Sequence, residues 1–171
     1  MHAELLILRI VHVVGSVIWV GTAVFLSFFL IPAFGAAGPA GAPVMGALIK
    51  RRMFVIVPAI AVFTILAGLR LLWINSGGYS AAYFATRSGM TYATGAVVSI
   101  VGFGIFLTVN RPAIGRLGAL QAQMAQLSEA ERGPLMAQVN ALRQRTATAS
   151  RVIAILLLVA AVTMAIGRYM D

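Results

Sequence analysis

Four stretches of this chain stay apolar for so long that water cannot solvate them well, and no other property of the sequence restricts the fold as strongly. A helix needs roughly 20 apolar residues to cross the hydrocarbon of a bilayer. Residues 5–34 form one such run, broken only by Arg9 and His12. Residues 53–75 form the second, with Pro58 near its start and Arg70 near its end. Residues 91–109 form the third, and residues 152–170 the fourth, with Arg168 near its end. Of the 171 residues 61% are apolar and 10% charged, whereas an ordinary soluble domain carries about 25% charged residues. A single small core could not bury that excess, and a disordered chain would not carry it. Backbone amides in lipid must be satisfied within their own element, and no strand-like alternation is present. The expected fold is therefore all-α: one polytopic membrane domain over residues 1–171, built as a four-helix bundle. The first run has the position of a secretory signal, but its apolar character continues through Phe29 and Leu30, which reads as a retained span.

Charge orients the bundle. Lys50, Arg51, Arg52, Arg111, Arg116, Arg132, Arg143, Arg145 and Arg151 fall in the first and third connections, nine of the 13 cations. Arg9, Arg70, Arg87 and Arg168 belong to the other side. Basic loops stay in the cytoplasm, so both termini and the second connection face outward, as in a multi-pass protein of a bacterial inner membrane. The net charge of +9 is thus explained by topology, and nucleic acid is not an expected partner. The expected surroundings are the lipid bilayer and, within it, a homo-oligomer or a larger membrane complex. The absence of cysteine excludes disulfides, thiolate catalysis and Cys-ligated metals.

The connections differ. Residues 35–49, rich in Gly, Ala and Pro, read as a flexible link, and residues 76–90 as a short Gly-, Ser- and Tyr-rich loop. Residues 112–150 read as two amphipathic helices. Leu117, Leu120, Met124 and Leu127 recur at helical spacing, as do Leu135, Val139, Leu142 and Thr146. Ser128 with Glu131 makes a capping box, and Gly133-Pro134 breaks one helix or opens the next. These helices should prolong spans three and four as a cytoplasmic hairpin. No internal repeat stands out beyond a weak recurrence of Arg at the outer ends of three spans.

Polar groups at membrane depth are costly, so they point into a bundle and mark candidate sites. Arg9, His12, Ser16 and Trp19 share one helical face of span one, with Gly15, Thr22 and Ala23 beside it. His12 is a candidate haem or copper ligand or proton carrier, or else a neutral ring bonded to a neighbouring helix. One histidine within the spans excludes a bis-His haem in a single chain. Arg70 and Arg168 lie near the same outer boundary as Arg9, where they either snorkel to headgroups or converge on an anion such as a haem propionate, a lipid phosphate or a quinone oxygen. Thr91, Gly95, Ser99 and Gly102 give span three a small-residue face, and Ala161 and Ala165 give span four a weaker one; such faces pack helices closely. The eight methionines lack an M-x-x-M spacing and read mainly as core filler, although thioethers suit Cu(I). Tyr79, Tyr83, Tyr92, Tyr169 and Trp73 fit interfacial belts, with Trp19 set deeper. No carboxylate pair, Ser-His-Asp set or phosphate loop is present, so any reaction would be borrowed from a cofactor.

Arg9-x-x-His12 followed by Trp19-Val20-Gly21 resembles the opening helix of the small bacterial membrane proteins of the copper resistance D group. It is similar also to that of the oxygen-independent protoporphyrinogen oxidase group of haem synthesis. The stretch Phe63 to Trp73, with Ala67-Gly68-Leu69, and the stretch Thr91 to Leu117, with Asn110-Arg111-Pro112, are similar to the copper-resistance pattern. The haem-synthesis resemblance implies that His12 binds haem b and that a lysine follows in the second helix, whereas here Lys50 precedes it. The copper resemblance implies metal passage from the outer face with His12 as candidate. The expectation taken forward is a non-catalytic inner-membrane protein whose outward pocket of Arg9, His12, Ser16, Arg70 and Arg168 binds a haem, a metal (through His12) or an anion. The alternatives are an accessory subunit of a larger energy-converting membrane complex, and an oxidoreductase with a single-His haem b.

Overall fold

The computed structural model describes residues 2–170, and every regular element among them is helical. Helix α1 (His2–Phe25) passes through a π-turn (Leu26–Leu30) into α2 (Ile31–Ala37). A 3₁₀ turn (Gly38–Gly41) leads to α3 (Ala42–Lys50), and a two-residue turn to α4 (Met53–Asn75). The short α5 (Ala81–Phe84) precedes α6 (Arg87–Ile105), which runs through a second π-turn (Phe106–Asn110) into α7 (Arg111–Met124). After a 3₁₀ turn (Glu129–Arg132), α8 (Gly133–Ile166) ends in a last 3₁₀ turn (Gly167–Tyr169). Four continuous helices, His2–Ala37, Met53–Asn75, Arg87–Met124 and Gly133–Tyr169, are long and apolar enough to cross a membrane.

The bundle is two hairpins laid side by side. Helix α1 packs along α4 and α6 along α8; α1 also lies on α8, while α4 meets α6 more lightly. Trp19, Ala61, Ile153 and Leu157 form the centre, with Phe103 set edge-on to Trp19 at 6.0 Å. Trp19 therefore sits in the core and not in an interfacial belt. Outward, large apolar side chains stay uncovered: Val17 is 69% exposed, Phe29 64% and Phe63 64%. A protein in water does not leave so much apolar surface bare.

The inward residues follow a seven-residue rhythm, the spacing of left-handed helix packing. In the fourth long helix it runs unbroken through Val139, Thr146, Ile153, Ala160 and Gly167, all buried or half-buried. In the first long helix it runs His12, Trp19, Ser27, Phe34, and in the third Gly95, Gly102, Asn110, Leu117, Met124. Each of these two series contains one step of eight residues, Trp19 to Ser27 and Gly102 to Asn110, and each such step runs into a π-turn. A π-turn is an α-helix with one residue inserted, so it absorbs the surplus. Its bonds reach five residues back: Ile31 N–H donates to Leu26 O, and Arg111 N–H to Phe106 O.

The extension beyond Asn110 has the helices expected. Leu117, Leu120, Met124 and Leu127 are half-buried, and Val139 is fully buried opposite them. The Ser128–Glu131 capping box is formed, and Gly133-Pro134 opens α8, with Pro134 in its first turn. Three expectations need correction. Residues 35–49 are helical over most of their length, because Pro43 sits where a first helical turn tolerates it and Met45, Ala47 and Leu48 favour helix. Residues 76–90 contain α5 and the start of α6, where the Thr86 hydroxyl accepts from Gly89 N–H at 2.9 Å. Ala161 and Ala165 are exposed, whereas the small face of α6 is turned to α8.

Candidate functional site

Two glycines let α1 and α4 approach until their polar residues interlock. A Cβ on Gly15 would collide with the Thr64 hydroxyl, and a Cβ on Gly68 would stand 2.6 Å from Cε1 of His12. The Thr64 side chain thus occupies the space left by Gly15, and the His12 ring occupies the space left by Gly68, one helical turn away. Thr64 turns its hydroxyl onto Ile60 O at 2.8 Å and offers its own carbonyl oxygen to His12 Nδ1 at 2.9 Å. A carbonyl only accepts, so Nδ1 carries the hydrogen and donates it. In a neutral ring Nε2 is then a bare lone pair, the form in which imidazole ligates a metal when its other nitrogen bonds a carbonyl.

The ring borders a cavity of about 20 Å³ shared by all four long helices, with Gly68 and Leu69 from α4, Ser99 from α6 and Met164 from α8 among its walls. That volume holds about one water molecule or a bare ion. Ser99 points its hydroxyl back to Ala96 O at 2.9 Å, leaving the Met164 thioether as the other soft donor on the same cavity. A haem macrocycle is far too large for this space, so the residues do not fit the haem implied by the haem-synthesis resemblance. No group of three or more His, Cys, Asp or Glu could hold a metal among the described residues, which excludes a hard multi-carboxylate site there.

The arginines do not join His12. Arg70 donates through Nε (2.9 Å) and Nη2 (2.7 Å) to the same oxygen, Oε1 of Glu4, and its guanidinium lies 4.5 Å over the Trp73 ring. Arg168 bonds the hydroxyl of its neighbour Tyr169 and stacks on that ring at 4.6 Å. Arg9 is exposed and Ser16 half-buried, and no hydrogen bond or ion pair joins either of them to the other site residues among the described ones. Of the five residues proposed as one pocket, His12 lines the small cavity between the helices and Arg70 a separate, larger cleft of about 390 Å³ with Glu4, Leu5, Trp73, Ile74, Gly77 and Gly78.

A second polar junction escaped the sequence reading. Ser27 Oγ donates to Ser150 O at 2.9 Å, and Asn110 Nδ2 donates to Ser150 Oγ at 2.8 Å. All of this lies where the two π-turns meet α8, and Asn110 Oδ1 is buried without a partner. The eight-residue steps in otherwise seven-residue spacings were the available signal. No family model, curated protein or solved structure matches this chain.

Proposed function

We propose that the chain is a non-catalytic integral protein of a bacterial inner membrane, with both termini outward, that holds a small soft cation such as Cu(I) between its helices at His12. The single observation that carries this reading is the bond from His12 Nδ1–H to Thr64 O, which leaves Nε2 as the basic edge of a ring bordering a cavity that Met164 also lines. Imidazole and thioether together suit Cu(I). The bare apolar exterior supports burial in lipid, and the nine cations of the first and third connections support the orientation. The resemblance to the copper resistance D group agrees with a metal that enters from the outward side. Purification in mild detergent, followed by an absorbance spectrum and metal analysis after Cu(I) loading, tests it. The expected result is about one tightly held copper per chain, lost in His12→Ala. A Soret band lost in His12→Ala would overturn this reading.

One observation favours a second reading. The core is thin for a chain of this length: only nine apolar residues are buried among those described. Further helices from a second copy or from a larger energy-converting complex would complete it. Co-purification with fixed partners, unaffected by His12→Ala, would support that accessory role.

A further inference from the structure

We propose that the cleft built by Glu4, Arg70 and Trp73 is a headgroup site for an aminophospholipid, the phosphatidylethanolamine class. The inference rests on the membrane reading above but not on the copper site. It begins with how the ion pair is made. Both guanidinium bonds fall on one carboxylate oxygen, Oε1, so Oε2 of Glu4 and Nη1 of Arg70 have no protein partner among the described residues. The two side chains are 43–44% exposed at the mouth of an open cleft of about 390 Å³. The Trp73 ring covers one face of the guanidinium at 4.5 Å. An ion pair left half-saturated on both partners complements a ligand that is itself a zwitterion: an anionic oxygen for Nη1 and a hydrogen-bonding ammonium for Oε2. Gly77 and Gly78 put no side chains in the way, and the flanks below stay apolar, with Ile7 61% and Leu66 57% exposed where acyl chains would lie.

The chemistry predicts an order among lipids. A quaternary choline has no N–H for Oε2, and a glycerol headgroup offers it only neutral hydroxyl donors, weaker than a charge-assisted ammonium bond. Ethanolamine satisfies both partners.

Protein extracted from alkali-washed membranes is mixed in detergent with equal amounts of dioleoyl phosphatidylethanolamine, phosphatidylcholine and phosphatidylglycerol. Retained lipid is read by native mass spectrometry. The expected result is one retained phosphatidylethanolamine, favoured about tenfold over either competitor. In Glu4→Gln the preference over phosphatidylcholine should vanish while binding of some lipid persists. In Arg70→Gln retention of all three should fall. Unchanged thermal midpoints and elution volumes in detergent certify that the variants are folded. Equal retention of the three lipids, or an intact preference in Glu4→Gln, overturns the proposal. Displacement of the lipid by glycerophosphoethanolamine at equal concentration overturns the assignment to a lipid in favour of a soluble zwitterion. Recovery in the alkali-washed membrane fraction is decided separately, so a flat lipid response there sinks the headgroup site and leaves the membrane reading standing.

Discussion

His12 and Thr64 make one hydrogen bond, but two glycines make that bond reachable. Gly68→Ala would place a methyl group 2.6 Å from the imidazole and push the ring off Thr64 O. The expected cost is about 1–3 kcal/mol, as for other overpacked sites, seen as a lower thermal midpoint in detergent. Imidazole ¹⁵N spectra should show the single Nδ1–H tautomer of the parent protein replaced by a mixture. Position and direction of such a ring are legible from the sequence, because a polar residue on an apolar face has to turn inward. Its partner is not. Thr64 and Gly68 are common residues in helices, and nothing in their spacing reveals which neighbouring helix meets them. The arginines mislead for a related physical reason. Three long cationic side chains near one boundary suggest convergence, yet Glu4 and Tyr169, close at hand, engage Arg70 and Arg168 first.

At the scale of elements, the apolar runs, the hairpin stripes and the capping box were all readable, because each is set by local periodicity. The link over residues 35–49 was not, since its Gly and Pro content masks a helix that Pro43 helps to start. The hairpin tip carries its own pH dependence. Glu131 accepts from both the hydroxyl and the backbone N–H of Ser128, and these bonds hold its carboxyl below its ordinary value of 4.5. A carboxyl lowered by folding contributes its support above its ordinary pKa and loses it as pH falls through the lowered one. Amides around Ser128–Arg132 should therefore lose protection, measured against their intrinsic exchange rates at each pH, once the medium is acid enough to protonate Glu131, with α8 unchanged. Hydrogen exchange followed by mass spectrometry reads this directly, and Glu131→Ala should show the fast exchange already at neutral pH.

The whole molecule can be oriented by a simple labelling experiment, because the sequence contains no cysteine to interfere. A membrane-impermeant maleimide should label Ser80→Cys in intact spheroplasts and Gln126→Cys only in inverted vesicles. The opposite pattern would reverse the orientation inferred from charge. The two π-turns matter at this scale as well. They stand at one level of the bundle and meet the same residue of α8, whose own rhythm has no surplus step. They act as phase shifters between an upper half keyed by Trp19 and Gly102 and a lower half keyed by Phe34 and Leu117. Deleting one residue between Trp19 and Ser27 would remove the surplus that the π-turn absorbs, leaving a plain α-helix with seven-residue steps throughout, whereas inserting one more would swing the lower part of the first rod by about 100°. After the deletion His12 and Phe34 would both keep their neighbours; after the insertion His12 would keep its place while Phe34 swivelled away, correctly threaded above the added residue and mis-keyed below it.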